Sequence, residues 1–255
     1  MLYLNGVPVA VTIFPDKTSQ VWKLPEDQLR PNKDPTVIRW QFEHEGEAMH
    51  LLQLKHLLAS YGHECKLELP YLPYGRQDKP YRNDATFALG PFAEFLNMLK
   101  FKSVEILDPH SSRATHLINN SIAQYPIEAV CMAVASTDAD VLCYPDDGAV
   151  KKYHNLYQFP YIFGEKVRDQ STGRITNYTL NGQAEGKRVL IVDDLCDGGA
   201  TFVLLGTALL DAGALSISLF VSHGLFTKGL APLRQAGINR IFTAQGEVLG
   251  EPDYD

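Results

Sequence analysis

Four short apolar runs, each breaking off into charged and turn-forming residues, constrain this chain more than any other feature of its sequence. They are KLELPYLPYGRQD (66–78), SVEILDPHSSR (103–113), VLCYPDDGAV (141–150) and VLIVDDLCDGG (189–199). A continuous apolar run bounded by turn residues reads as a strand buried on both faces, which places it in a parallel sheet. Between the runs the apolar period becomes that of a helix. Residues 44–61 set Met49, Leu52, Leu57 and Leu58 among polar residues and end at Gly62. Residues 91–100 open with a proline, which a first helical turn tolerates. Residues 201–212 carry Phe202, Leu205, Leu209 and Leu210, with Gly213 as the expected C-cap. Strands alternating with helices make α/β units, and ligands of such sheets collect at the carboxyl ends of the strands, where all four polar clusters fall.

LDPHSS and YPDDGA both close an apolar run with an acidic, proline-containing turn. They suggest two related halves, with a boundary in 117–125. The expected division is an N-terminal domain over 1–117 and a C-terminal domain over 118–255. A chain of 255 residues, 45% hydrophobic and 21% charged, has material for two such cores. The formal net charge of -7, with no long basic run, argues against bulk binding to nucleic acid or an anionic membrane. Cys65, Cys131, Cys143 and Cys196 form no CxxC pair and sit in or near apolar runs. They read as small hydrophobes in a reducing compartment, without disulfides or structural zinc. With no basic, apolar leader and no membrane-length run, the expected location is cytoplasmic. The polar, turn-rich stretch 168–181 reads as a mobile hairpin or loop.

The segment VDDLCDGGAT (192–201) carries the sharpest chemistry. Successive N–H groups of a glycine-rich turn entering a helix bind an anion, and Thr201 adds a hydroxyl. The acids beside it suit a ligand that also carries a sugar diol. A sugar phosphate meets both demands, with hydroxyls on Asp193 and Asp194 and phosphate in the loop formed by Asp197, Gly198, Gly199, Ala200 and Thr201. The plain structural alternative is a helix start with Asp197 as N-cap. No GxxxxGK[ST] sequence occurs, which disfavours a P-loop kinase, and no hydrolase triad stands out. Cys196, set between acids, is expected to have a raised pKa.

This segment resembles the ribose-phosphate loop of the type I phosphoribosyltransferase fold. PYLPYGRQDKP resembles PYxxYARQDR of the ribose-phosphate diphosphokinases, which make phosphoribosyl diphosphate (PRPP); ordinary phosphoribosyltransferases lack that motif. In the same order, FPDKT (14–18) resembles the family's FSDGE, DPHSS its DLHAxQ, YPDDGAVKK its SPDxGGxxR, and GEKVRD its DKRR. The likeness spans about residues 14–230. It implies an α/β chain of two tandem type I phosphoribosyltransferase-like domains, with mainly parallel sheets flanked by helices.

The resemblance also implies roles. Arg76 and Gln77 would contact ATP, with Asp78 nearby. Phe14 and Asp16 would hold adenine for a neighbouring subunit, hence a homo-oligomer. His110 and Asp146 would bind the Mg²⁺ of MgATP, directly or through water. Lys166 and Arg168 would stabilise charge on the transferring group. Singly, each has an ordinary reading: RQD as a solvated turn, Phe14 as core packing, His110 and Asp146 as turn residues, Lys166 and Arg168 as a loop edge. The implied reaction is attack of the anomeric hydroxyl of ribose 5-phosphate on the β-phosphorus of MgATP. A PRPP-consuming phosphoribosyltransferase and a non-catalytic regulatory paralogue are the alternatives.

The chain departs from the family in two motifs. Thr18 replaces a Glu, and DGGAT replaces DTAGT, so Gly198 removes a hydroxyl donor and its bulk. That leaves open a plain 5′-phosphate held by backbone N–H groups, or a 5′-extended ribose such as ADP-ribose.

Overall fold

A computed structural model describes residues 1–30, 34–80, 82–168 and 175–250, with only the backbone of 167–168 and 175–177. The chain divides into two compact units, Met1–Tyr125 and Pro126–Asp255, each with its own core.

In the first unit the strands are β1 (Leu2–Leu4), β2 (Val7–Pro8), β3 (Val11–Ile13), β4 (Ser19–Val21), β5 (Thr36–Trp40), β6 (Cys65–Leu69), β7 (Ser103–Leu107) and β8 (Ser121–Gln124). The helices are α1 (Glu47–Ser60), α2 (Leu89–Met98) and α3 (Arg113–Leu117). The main sheet has the order β2-β1-β5-β6-β7-β8. β5 to β8 are parallel, in register through Ile38–Leu67, Leu67–Val104 and Val104–Ser121. Each parallel step needs a crossover, supplied in turn by α1, α2 and α3. The unit runs to Tyr125, at the far end of the 117–125 stretch, because β8 completes this sheet against β7.

Two expectations change in this unit. β6 and β7 alternate between buried and half-buried residues instead of being buried on both faces, since KLEL and SVEI alternate in polarity. The buried stripe of α1 is Leu51, Leu54 and Leu58, while Met49 is exposed. α1 ends before Gly62, whose φ of 82° favours glycine because a Cβ would be strained there.

β3 and β4 form a separate hairpin carrying FPDKT at its tip. It is tied to α1 by Gln53, which accepts from the Val21 amide at 2.8 Å and donates to the Ser19 carbonyl at 2.9 Å.

The second unit holds β9 (Val141–Tyr144), β10 (Tyr161–Arg168), β11 (Ile175–Asn181), β12 (Arg188–Cys196), β13 (Ser216–Gly224), β14 (Ile238–Thr243) and β15 (Gly246–Glu247). Its helices are α4 (Ile127–Thr137), α5 (Asp147–Tyr157), α6 (Ala200–Asp211) and α7 (Ala231–Gln235). The sheet order is β11-β10-β9-β12-β13-β14-β15, parallel from β10 to β14, with antiparallel edges. β9 is buried throughout and β12 is buried from Val189 to Val192, as two-sided burial requires.

α6 buries Phe202, Leu205 and Leu209, but Leu210 is 46% exposed. Gly213, with φ 79°, follows its last turn and donates to the Leu210 carbonyl at 2.9 Å. Around the polar stretch 168–181, β10 and β11 pair antiparallel; residues 169–174 lie outside the described residues. Cys65, Cys143 and Cys196 are buried free thiols, whereas Cys131 is exposed on α4 and is no core hydrophobe. Among the described residues no helix is long and apolar enough to cross a membrane.

Candidate functional site

In the second unit, adjacent strands deliver acids and a lysine to one sheet end. β9 stops at Tyr144, and Pro145 turns the chain into α5 with Asp146 as N-cap. The Asp146 Oδ1 accepts from the Ala149 amide at 3.0 Å, satisfying a first-turn donor. Its Oδ2 accepts from Lys166 Nζ at 2.7 Å, so β10 is pinned to the turn after β9. Burial works to raise the Asp146 pKa. The Lys166 ammonium and the backbone donors outweigh it and hold the carboxyl below its usual range.

On the other side of β9, β12 carries Asp193 and Asp194 near its carboxyl end. Asp194 is buried, and Lys152 of α5 places its Nζ 3.8 Å from Asp194 Oδ2. Asp193 is half-buried and accepts from the Asp194 amide at 2.9 Å. Withdrawal from water, then the Asp194 charge, then that of Asp146, push the Asp193 pKa well above the usual carboxylate range. A group bearing hydroxyl donors stabilises such a crowded acid pair.

The glycine-rich loop follows. Gly199 caps α6 at φ 73°, and a Cβ on it would approach Leu233 Cδ2 to 3.0 Å, so both backbone and packing favour glycine. The first-turn N–H groups of α6 have no intrahelical acceptor, and the half-buried Thr201 stands among them. Asp197 is not the N-cap: its Oδ1 accepts from Thr227 Oγ1 at 2.7 Å, and the Thr227 amide donates to its carbonyl at 3.2 Å. The Cys196 thiol is pushed up to about 12, first by burial and then by Asp197 and Asp193. It is no nucleophile at neutral pH.

In the first unit the RQD turn and the DPHSS turn are brought together. Ser111 Oγ donates to Asp78 Oδ2 at 2.7 Å, and Arg113 Nη1 donates to the Asp78 carbonyl at 2.8 Å. Asp78 therefore organises the two turns, leaving Arg76, Gln77 and His110 exposed. Beside Gln77 opens a pocket of about 590 Å³, lined also by Phe42, His44, Tyr71 and Tyr74. The Tyr74 hydroxyl donates to Glu45 Oε1 at 2.7 Å; that bond, with some burial and the carboxylate charge, pushes its pKa up to about 12.

At the hairpin tip Phe14 is 37% exposed, which removes the core-packing reading. Asp16 accepts from the Thr18 amide and hydroxyl at 3.0 and 2.7 Å, bonds that hold its pKa down. Arg168 ends β10, and its side chain lies outside the described residues.

Lys152, Thr227 and Lys228 are not among the residues that the sequence motifs single out. Lys152 had a local signal, since YPDDGAVKK places it in the second turn of α5. Thr227 and Lys228 had none: they come from the loop after β13, distant in sequence from the loop they touch.

Among the described residues no group of three or more His, Cys, Asp or Glu side chains is disposed to hold a metal ion. A carboxylate at a strand end fits Mg²⁺ that arrives with a polyphosphate, since such Mg²⁺ takes one or two protein carboxylates together with phosphate oxygens and water.

Two α/β units with a strand–DDxxDGGAT–helix loop define the class: a protein of the type I phosphoribosyltransferase fold in tandem. The phosphoribosylpyrophosphate synthetase of Mycobacterium smegmatis superposes with a TM-score of 0.75 at 19% identity, over 92% of this chain and 79% of that one. No family model matches the sequence. The ribose-phosphate pyrophosphokinase of Saccharolobus solfataricus is 24% identical over 94% of this chain and 85% of its own length. That of Pyrococcus abyssi is 25% identical over 93% and 83%. A chloroplastic ribose-phosphate pyrophosphokinase of Arabidopsis thaliana is 38% identical over 38% of this chain and 23% of its own. Over nearly its whole length the chain is similar in sequence to ribose-phosphate pyrophosphokinases.

Proposed function

We propose that this chain transfers the β,γ-diphosphate of MgATP to the anomeric hydroxyl of ribose 5-phosphate, giving PRPP and AMP. The observation that carries the reading is the array at one end of the second sheet: Lys166 on Asp146, the Asp193–Asp194 pair, and the Gly198–Gly199 turn into α6. Similarity to ribose-phosphate pyrophosphokinases over nearly the whole chain supports it.

In this mechanism Asp193 and Asp194 accept hydrogen bonds from the ribose hydroxyls and orient the anomeric oxygen. The loop 198–201 holds the 5′-phosphate on backbone N–H groups and the Thr201 hydroxyl. Asp146 holds Lys166 in place, and the ammonium then meets the non-bridging oxygens of the transferring group together with Arg168. The anomeric hydroxyl loses its proton to solvent as the anomeric oxygen–β-phosphorus bond forms, and the bond from the β-phosphorus to the α,β-bridging oxygen breaks, releasing AMP. Positioning and charge stabilisation suffice for such a transfer. Asp146 would hold Mg²⁺, which supplies charge neutralisation on the diphosphate. Arg76, Gln77 and Asp78 would receive the nucleotide. Phe14, exposed on its hairpin between Asp16 and the 69% exposed Ile13, supports an adenine contact offered to a second copy of the chain.

The test is AMP formation from MgATP and ribose 5-phosphate by the purified chain. Turnover dependent on both substrates supports the reading. Conversion of PRPP and a nucleobase instead would make the chain a phosphoribosyltransferase, and no turnover at all with both ligands bound would make it a regulatory paralogue. A kcat/KM ratio strongly favouring ADP-ribose over ribose 5-phosphate would move the substrate to a 5′-extended sugar.

A further inference from the structure

Gly198 stands where the motif DTAGT, which this loop resembles, has a threonine, and its conformation does not explain the difference. It has no positive φ, unlike Gly199 beside it, so the backbone would accept a side chain. What lies over Gly198 is a lysine. A Cβ built on Gly198 would meet Lys228 Cε at 3.4 Å, Cδ at 3.5 Å and Cγ at 3.7 Å. A Cβ fits at those distances in ordinary van der Waals contact, and a larger side chain would have to share the space with the flexible lysine stem. The space that glycine opens is thus filled by an aliphatic chain carrying a positive charge.

The loop bearing Lys228 is fastened to the phosphate turn independently of the lysine. The Leu225 and Phe226 amides donate to the Cys196 carbonyl at 2.8 and 3.1 Å, and Thr227 bonds Asp197. Among the described residues no hydrogen bond or ion pair engages the Lys228 ammonium, although three acids precede it on the neighbouring loop at 193, 194 and 197. A chain of net charge -7 therefore keeps an uncommitted cation at its anion-binding turn.

We propose that Lys228 binds the 5′-phosphoryl group of the sugar, replacing with an ammonium the hydroxyl that Gly198 lacks. The inference rests on the reading of loop 198–201 as the sugar-phosphate site and adds a specificity-determining residue to it. The exchange changes the chemistry of recognition. A threonine hydroxyl is neutral, whereas an ammonium prefers the dianion and forms a stronger, charge-assisted bond.

The test is titration calorimetry of the full chain with ribose 5-phosphate and, separately, with MgATP. Lys228→Met keeps the stem over Gly198 and removes the charge. It is expected to weaken ribose 5-phosphate about 10- to 100-fold, the loss of a charged hydrogen bond, and to leave MgATP affinity unchanged. Lys228→Arg is expected to retain most of the sugar affinity. Unchanged ribose 5-phosphate affinity in Lys228→Met overturns the role of Lys228 and leaves the loop assignment standing. An equal loss for MgATP, or for Lys228→Arg, also overturns it. A wild-type chain that binds no ribose 5-phosphate overturns the loop assignment itself, and the role of Lys228 with it.

Discussion

Lys166 Nζ lies 2.7 Å from Asp146 Oδ2, so the side chain proposed to act on the transferring group is fastened to the turn proposed to meet the metal. The contact holds the ammonium at the end of β9 before any substrate arrives. Lys166→Ala should lower kcat about 10²–10³-fold with a smaller change in KM, as for a donor used mainly in the transition state. Steady-state kinetics decide it, and a near-normal kcat removes Lys166 from the mechanism.

Asp194 is buried with Lys152 nearby, and its proposed ligands are ribose hydroxyls. Asp194→Asn keeps the volume but loses the charge-assisted acceptor. Ribose 5-phosphate affinity should fall about tenfold or more while MgATP affinity persists. Loss of MgATP binding with intact sugar binding would reverse the assignment.

Asp193 has a raised pKa in the folded chain, caused first by burial and then by the Asp194 charge. A raised value means that ionising the group destabilises the fold. Its stability is therefore complete below the ordinary carboxylate pKa of about 4 and is lost as pH rises through the folded value. Asp193→Asn should raise stability at pH 7 by about 0.5–2 kcal/mol, and the gain should vanish below about pH 4. Thermal melts of both proteins at the two pH values test this; a lower Tm for the variant at pH 7 contradicts it. Sugar affinity should fall in the same variant.

Tyr74 donates to Glu45, and its pKa is pushed up to about 12. Because the folded value exceeds the unfolded one, the contribution to stability is present below about pH 10 and is lost as pH rises towards the folded value. The difference in ultraviolet titration between wild type and Tyr74→Phe isolates this phenol among the 12 tyrosines. Glu45→Gln should return its midpoint towards about 10. An ordinary midpoint in the wild type would break the proposed Tyr74–Glu45 link.

Phe14 is exposed at a hairpin tip, and Arg76 is exposed on the RQD turn. If one copy lends Phe14 to the nucleotide site of another, mixing Phe14→Ala with Arg76→Ala should recover part of the activity that each variant alone has lost. A fully active monomer in sedimentation and kinetic assays would refute sharing.

The sequence by itself determined what depends on neighbouring residues. Apolar runs marked β6, β7, β9 and β12; helical periodicity marked most of α1, α2 and α6; DDLCDGGAT marked the turn into α6. These signals are local because strand and helix periods and glycine dihedrals act within a few residues. Even so, the buried face of α1 shifted from Met49 to Leu51 and Leu54, since which stripe faces inward depends on the sheet beneath it. Only the tertiary structure decided that Asp146 meets Lys166, that Asp78 ties its turn to Ser111 and Arg113, and that Thr227 rather than a helix end takes Asp197. It also decided that the gap left by Gly198 is occupied, by Lys228 from the loop after β13. The physical reason is strand order: β12 and β13 are parallel neighbours, so the loops leaving their carboxyl ends must touch, and no local periodicity records which strands will lie side by side.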